Sequence, residues 1–508
     1  MQREPTDTMI DGSWEFQSLT RLAEMIKAMA PDGAPALADW YAEAVALENA
    51  GPMNTLMAER GLDNLAFSLR SHWLRMAHES SHGYLMAPPH AQPKFMPSGK
   101  KFQFDYERSS RPEILERRGM ALAPSPKGWT GKCMLFASGM SAIATLIQVC
   151  CAHLNGALPD QPVQLKMFGG YFETWRLLDM FHSPALDVEY LDTNDELADR
   201  VIDGGADVLV IEPVAYDWDM IVFDLAAFAE AWKRARQRPR VVIIDTSLTG
   251  PTFTVSDLVG AFGDHLPWLV VFVRSGLKLD QQGLELSNVG IVNIYAPSDG
   301  KRPVSLSHLM QRLTVNRAIT GGGLSVNDTA ALEAPWFLDR QLFVDHADRV
   351  FANNRQLAEG VRLGGGIISR INHPALAPEP RPKWAVSPFV VFHLASDSVT
   401  RHGLLVAILV HEAGKRGLCF DLGSSFGFRG QRFEVIRPLV QIRERKGRVG
   451  LLKIAMGSRQ GPSVGGIIKL INDIGAYPDW KSLKAAYPDV RAYVKGDFGV
   501  YQARPPRP

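Results

Sequence analysis

Between about residues 130 and 295, short apolar runs alternate with helical stretches, and this alternation limits the possible folds more than any other feature of the chain. The runs cover residues 133–136, 162–167, 208–211, 241–244, 268–273 and 289–294. Between them, 141–154, 172–180 and 225–236 carry apolar residues at helical spacing. Strands buried on both faces read as continuous apolar runs, and strands that alternate with helices are joined by crossovers. The segment therefore predicts an α/β fold, a mostly parallel sheet covered by helices on both faces. Ligands of such sheets sit at the carboxyl ends of the strands. The residues just past each run are thus the candidates for chemistry.

A chain of 508 residues is too long for one hydrophobic core. Residues 13–85 read as helical, with Trp14, Phe16, Leu19, Leu22 and Met25, then Leu37, Trp40, Tyr41 and Val45, at roughly helical spacing. The proline-rich stretch 86–99 reads as a linker or arm. Past residue 320 a long helical stretch, 327–363, precedes a second β/α region with strands near 389–393 and 451–455. The expected division is a helical N-terminal extension and linker (1–100), a large α/β domain (101–320) and a small C-terminal α/β domain (321–508).

Three places at the strand ends stand out. The run ending at Val273 empties into Ser275-Gly-Leu-Lys278. A lysine there either snorkels its charge to solvent or holds its amine within reach of a carbonyl cofactor. Asp245 closes the run 241–244. A carboxylate so placed needs a partner against desolvation, and a protonated heterocyclic nitrogen, an arginine or a helix terminus would each serve. Ala137-Ser-Gly-Met-Ser141 joins a strand to a helix. Glycine there lets backbone N–H groups turn toward an anion at a helix N-terminus, although a tight turn with a serine N-cap uses the same residues. Lacking the Lys-Ser/Thr ending of a P-loop and the spacing of a dinucleotide fingerprint, the turn suits a single phosphate. Glu212-Pro213 adds polar groups at the same rim. A phosphate cup, a buried aspartate and a lysine are what pyridoxal 5'-phosphate requires for its phosphate, its ring nitrogen and its aldehyde.

Several motifs, in collinear order from about 104 to 475, resemble the fold-type-I pyridoxal-phosphate enzymes of cysteine and methionine metabolism, the cystathionine gamma-synthase and methionine gamma-lyase group. Tyr106-Glu-Arg108-Ser-Ser-Arg-Pro112 is similar to the family's Tyr-x-Arg-x-x-Asn-Pro, which implies that Tyr106 and Arg108 reach the phosphate of a neighbouring subunit. Ser138-Gly-Met-Ser141 resembles its phosphate-binding turn, so Ser138, Gly139 and Met140 are implied phosphate ligands. Phe168-Gly-Gly170 resembles Tyr-Gly-Gly, whose ring stacks on the cofactor. Asp245-Thr-Ser-Leu-Thr-Gly-Pro251 implies Asp245 as partner of the ring nitrogen. Ser275-Gly-Leu-Lys278 implies Lys278 as the Schiff-base lysine and Ser275 as a phosphate donor. Ser425-Phe-Gly427 and Leu452-Lys-Ile-Ala-Met-Gly457 echo the small domain's substrate-binding segments. The resemblance also implies a seven-stranded-type sheet and a homodimer or homotetramer with a shared active site.

The chain departs from the family in informative places. Phe168 lacks a phenolic proton donor, which Tyr171 or Tyr106 would have to supply. Leu277 replaces a phosphate-binding threonine, and Tyr216 falls near the family's asparagine beside the cofactor. Lys453 stands where an arginine would clamp the substrate carboxylate, and a point charge is a poor substitute for a bidentate fork. Arg459 or Arg429 could take that role, or be ordinary surface charges. The expected activity is elimination or substitution of a leaving group at the β or γ position of an amino acid. The loss of the phenol at 168 favours a group that leaves neutral, such as the sulfonium of S-adenosylmethionine. Aminotransfer and a non-catalytic scaffold role are the rival readings.

Composition narrows the partners. Lys+Arg 55 against Asp+Glu 54 gives a net charge of +1, so nothing favours nucleic acid or an anionic membrane over a small-molecule substrate. The four cysteines contain no C-x-x-C pair and read as reduced, buried thiols. No metal site is expected. With neither an apolar signal core at the N-terminus nor a run of ~18 apolar residues, the expectation is a soluble cytoplasmic protein.

Overall fold

The computed structural model describes residues 12–29, 37–89, 94–157, 161–299, 305–436, 449–495 and 501–502. Part of the expected arm at 86–99 lies outside these residues. The helical N-terminal stretch resolves into α1 (Ser13–Met29), α2 (Ala38–Asn49) and α3 (Leu56–Ser81). In α1 the buried Leu19, Leu22, Ala23 and Ile26 form one stripe at helical spacing. Chain contacts divide the protein into two compact units, one of Leu74–Asp345 with Ala377–Ser387 and the other of Met1–Trp73, His346–Leu376 and Pro388–Pro508.

The first unit is built on a seven-stranded sheet. Its elements are β1 (Trp129–Phe136), α4 (Gly139–Ala157), β2 (Val163–Phe168), α5 (Phe172–Phe181), β3 (Leu186–Leu191), α6 (Asn194–Asp203), β4 (Val208–Ile211), α7 (Leu225–Arg234), β5 (Val241–Asp245), β6 (Leu269–Ser275) and β7 (Gly290–Pro297). The spatial order is β1-β7-β6-β5-β4-β2-β3, and β7 alone of these strands runs against its neighbours. The expected mostly parallel sheet is therefore present. Every residue of β4 and β7 is buried, which is why those strands read as unbroken apolar runs. β3 escapes such a reading because only its end residues, Leu186 and Leu191, are buried. It is an edge strand, and its Glu189 pairs with Lys166 at 3.0 Å. On one face, Phe228, Trp232, Phe262, Phe253 and Phe272 join a buried cluster with aliphatic side chains of the central strands.

The single long helix expected over 327–363 is a correction. The chain forms α8 (Val326–Leu332) and α9 (Arg340–Gly360) instead. Pro335 cannot donate to a helical ladder, and Leu338 takes a left-handed φ of 64°, which ends helical geometry between them. Trp336 and Phe337 are fully buried there.

The second unit has a five-stranded sheet of β8 (Ile368–Asn372), β9 (Val390–Leu394), β10 (Phe420–Leu422), β11 (Gln431–Ile436) and β12 (Leu451–Ala455), in the order β8-β9-β12-β11-β10. Helices α10 (Val399–Arg416) and α11 (Pro462–Gly475) bury Leu405, Ile408, Leu409, Ile467, Leu470 and Ile471 in its core. This unit also contains a buried ionic cluster. Arg459 donates from Nε to Glu15 at 2.8 Å and from Nη2 to Glu15 at 3.2 Å and Asp63 at 3.0 Å. Arg429 faces the same Glu15 at 3.7 Å. Burial works to raise the Glu15 carboxyl, yet Arg459 and then Arg429 hold it below the usual carboxylate range. Glu59, from α3, accepts the Ser463 amide at the start of α11 at 3.0 Å, where the helix dipole favours an anion.

Cys133, Cys150 and Cys151 are buried free thiols, and burial pushes those of Cys150 and Cys151 up to about 12. Among the described residues, no helix is long and apolar enough to cross a membrane, and no group of three or more His, Cys, Asp or Glu could hold a metal.

Candidate active site

β1, β2, β4, β5 and β6 all end at one rim of the large sheet, and their trailing loops carry the residues singled out in the sequence. After β1, Ser138 Oγ accepts the Ser141 amide at 3.0 Å and so starts α4. Gly139 packs directly on Ser275 at the end of β6. A Cβ at 139 would lie 3.4 Å from that of Ser275. Ser275 in turn donates its amide to Ser247 Oγ at 2.9 Å, and the Ser247 amide donates to Asp245 Oδ1 at 2.8 Å. The phosphate-cup candidates and the aspartate are thus linked by two hydrogen bonds through Ser247.

Lys278 follows in a turn whose amide meets the Ser275 carbonyl at 3.3 Å. Its side chain is partly buried. The turn is clamped from both ends. Arg274 before it and Asp280 after it form a buried pair, with Nη2 to Oδ1 at 2.8 Å and Nε to both oxygens at 3.1 and 3.2 Å. Gln281 then uses its amide as donor and acceptor, reaching Gly276 O at 3.1 Å and Ser287 O at 2.6 Å and accepting from Leu286 and Ser287. Satisfied polar groups of this kind hold a buried turn in one conformation.

On the other side of Asp245, Glu212 follows β4. Its carboxylate accepts the amides of Gly170 (3.0 Å), Tyr171 (3.1 Å) and Tyr216 (2.8 Å). The Tyr171 and Tyr216 rings meet edge to face, 5.1 Å between centroids. Burial, then Glu173, raises the Tyr171 hydroxyl, and the charges of Asp245 and Glu212 act on it as well. Burial also raises Asp245. Glu212 is pushed up to about 8 by burial and then by Asp245, against its three amide donors. A carboxyl group with a higher pKa folded than unfolded stabilises the fold while protonated. Its contribution is complete below the ordinary value of 4.5 and is lost as pH rises through the folded value. The ligand-free protein is therefore expected to melt at lower temperature as pH is raised from about 6 to 9, and E212Q to show a flatter profile. Parallel profiles in thermal melts would remove Glu212 as the source.

Other expected site residues are placed differently. The stacking role expected of Phe168 is a correction. As the last residue of β2 it lies 1% exposed in the core cluster, its ring 6.2 Å from that of Phe223. Gly169, with φ of 153°, turns the chain so that Tyr171 is the ring under the influence of Asp245. Tyr106 and Arg108 are exposed, with the guanidinium 4.9 Å from the tyrosine ring. Lys453, Arg459 and Ser425 belong to the other unit. Lys453 meets Glu434 at 2.5 Å and lies over the rings of Phe389 and Phe426. Glu434 also accepts the Ser425 amide at 3.0 Å. Arg459, expected as a carboxylate clamp or an ordinary surface charge, is 1% exposed, and its guanidinium is held by Glu15 and Asp63. Ser247, the Arg274–Asp280 clamp and Gln281 went unassigned in the sequence. The signals were present locally, as an Asp-x-Ser spacing and as opposite charges bracketing a lysine.

This donor set fits pyridoxal phosphate. Gly139 leaves a side-chain-free surface beside two serines, and a protonated ring nitrogen would relieve the two raised carboxyl groups. The fold is shared with solved structures. A methionine gamma lyase from Micromonospora echinospora superposes with a TM-score of 0.52 at 18% identity, covering 78% of this chain and 96% of that one. Cystathionine gamma-lyase from yeast gives a TM-score of 0.52 at 18% identity, covering 82% and 98%. No protein-family model matches the sequence, and no curated protein matches it.

Proposed function

We propose that the chain is a pyridoxal-phosphate-dependent enzyme that eliminates or replaces a leaving group on the β or γ carbon of an amino acid. The observation that carries this reading is the linked row Gly139–Ser275–Ser247–Asp245 beside the clamped turn bearing Lys278. The similarity in fold to a methionine gamma lyase and a cystathionine gamma-lyase supports the same chemistry. Pyridoxal phosphate, when bound, supplies a sink for the electrons released at the substrate's Cα.

The protein's part is binding and proton control. Ser138, Ser275 and the amides of Gly139 and Met140 hold the phosphate at the start of α4, where the helix dipole adds to their attraction. Asp245 keeps a proton on the ring nitrogen. With the cofactor bound, Lys278 would hold it through its amine and, once that amine is free, would take and return the proton at the substrate's Cα. Tyr216 lines the ring with Tyr171 in the place expected of Phe168. A second subunit contributes Tyr106 and Arg108 to the phosphate, which makes the active form a homo-oligomer.

Because Tyr171 brings a phenol to the rim, a leaving group that needs a proton is compatible with the site. Incubation with cysteine-, homocysteine- and methionine-type substrates and with S-adenosylmethionine, followed by mass analysis, tests the reaction type. Loss of the side-chain group from at least one of them is expected. Conversion of the cofactor to pyridoxamine phosphate, reversed by a 2-oxo acid, would assign aminotransfer instead.

A further inference from the structure

Glu212 has no assigned part in the chemistry above, yet its carboxylate accepts three backbone amides at the rim. We propose that Glu212 is a positioning residue that fixes Tyr171 and Tyr216 and, with Asp245, makes the site select a ring bearing a proton on its nitrogen. This rests on the pyridoxal-phosphate reading and deepens it.

The geometry comes first. β4 and β5 pair in register at Ile211 and Ile244, so Glu212 and Asp245 are the next residues on adjacent parallel strands. Glu212 is 3% exposed. One oxygen accepts from Gly170 and Tyr216 and the other from Tyr171, so a single carboxylate pins the loops after β2 and β4. The fit is close. A Cβ at Gly169 would lie 2.6 Å from Glu212 Cδ, and one at Gly170 would lie 3.0 Å from the Tyr216 carbonyl oxygen. The two aromatic residues anchored this way are in ring contact with each other. A carboxylate suits this junction because three donors converge on it, whereas an amide offers acceptor lone pairs on one oxygen only.

The electrostatics follow from the placement. Two partly or fully buried carboxylates on neighbouring strand ends repel each other, and each favours protonation until a cation arrives. A ring with a protonated nitrogen relieves both, while a ring without one relieves neither. Glu212 thereby adds to the discrimination that Asp245 begins, although the nitrogen's proton is held by Asp245.

The test compares pyridoxal phosphate with its analogue in which the ring nitrogen is replaced by a C–H group. Binding to the full-length protein is followed by quenching of tryptophan fluorescence, independent of turnover. Wild type should prefer the nitrogen-bearing ring, and E212Q should narrow that preference by about tenfold, the equivalent of one pK unit. Glutamine can keep the Gly170 and Tyr216 bonds through its oxygen, so E212Q is expected to fold. E212D keeps the charge with a shorter reach. It should weaken both ligands while preserving their ratio, and it carries the test if E212Q does not fold. An unchanged ratio in E212Q, or a narrowed ratio in E212D, overturns the proposal. A wild type that binds neither ligand instead overturns the pyridoxal-phosphate reading beneath it.

Discussion

Replacing Lys278 by alanine is expected to lower turnover by about a thousandfold or more, within the range for loss of a positioned proton-transfer group, with covalent attachment lost as well. The fold should survive. The turn that carries Lys278 is held by the Arg274–Asp280 pair and by the four bonds of Gln281, none of which uses the lysine side chain. K278R separates the two meanings of a lysine at a strand mouth. If Lys278 served only as a surface cation, arginine would substitute for it. If the amine is required, K278R is as inactive as K278A. Steady-state turnover beside thermal melts of the three proteins decides, and near wild-type turnover in either variant contradicts the assignment.

The second large effect is on stability. Glu15→Ala should destabilise the fold by roughly 3–5 kcal/mol, the usual cost of removing one partner from a buried ion pair. Glu15 is the buried carboxylate shared by two buried guanidinium groups, Arg459 and Arg429, and Asp63 is largely exposed. Without Glu15 both cations keep their desolvation cost and lose most of its compensation. The denaturant midpoint should therefore fall sharply. Replacing Arg459 by methionine in the same chain should recover part of the loss, because an apolar pair of similar volume removes the uncompensated charge. A midpoint within the scatter of wild type for E15A would show that the cluster is hydrated and energetically minor.

These two residues mark what could and could not be read in the sequence. The positions of Asp245, Ser275 and Lys278 were legible because the first two end, and the third follows, strands that begin as apolar runs, and a parallel sheet gathers such strand ends at one rim. β4 (208–211) and β12 (451–455) match the runs residue for residue. Edge strand β3 did not read as a strand, since its middle residues are partly exposed and two of them are acidic. Phe168 lies on the core side of the sheet and not at its rim. Its neighbours suggested a rim residue, but as the final strand residue it points into the aromatic core, and the Gly169 turn brings Tyr171 forward instead. The partners of Arg459 lie 444 and 396 residues away in sequence. No local spacing reveals such a pairing, and the charged residues of α1 and α3 look like any solvated helix face until the cluster is seen. The same holds for Glu434, whose contacts to Lys453 and Ser425 depend on strand pairing in the second sheet.

The central claim is that one particular amine holds the aldehyde of pyridoxal phosphate. Borohydride reduction of the purified protein after addition of pyridoxal phosphate, followed by digestion and mass mapping, addresses it in a single measurement. The pyridoxyl label is predicted on the peptide containing Lys278 and on no other in comparable yield. An unlabelled protein, or a label on a different lysine, contradicts the account.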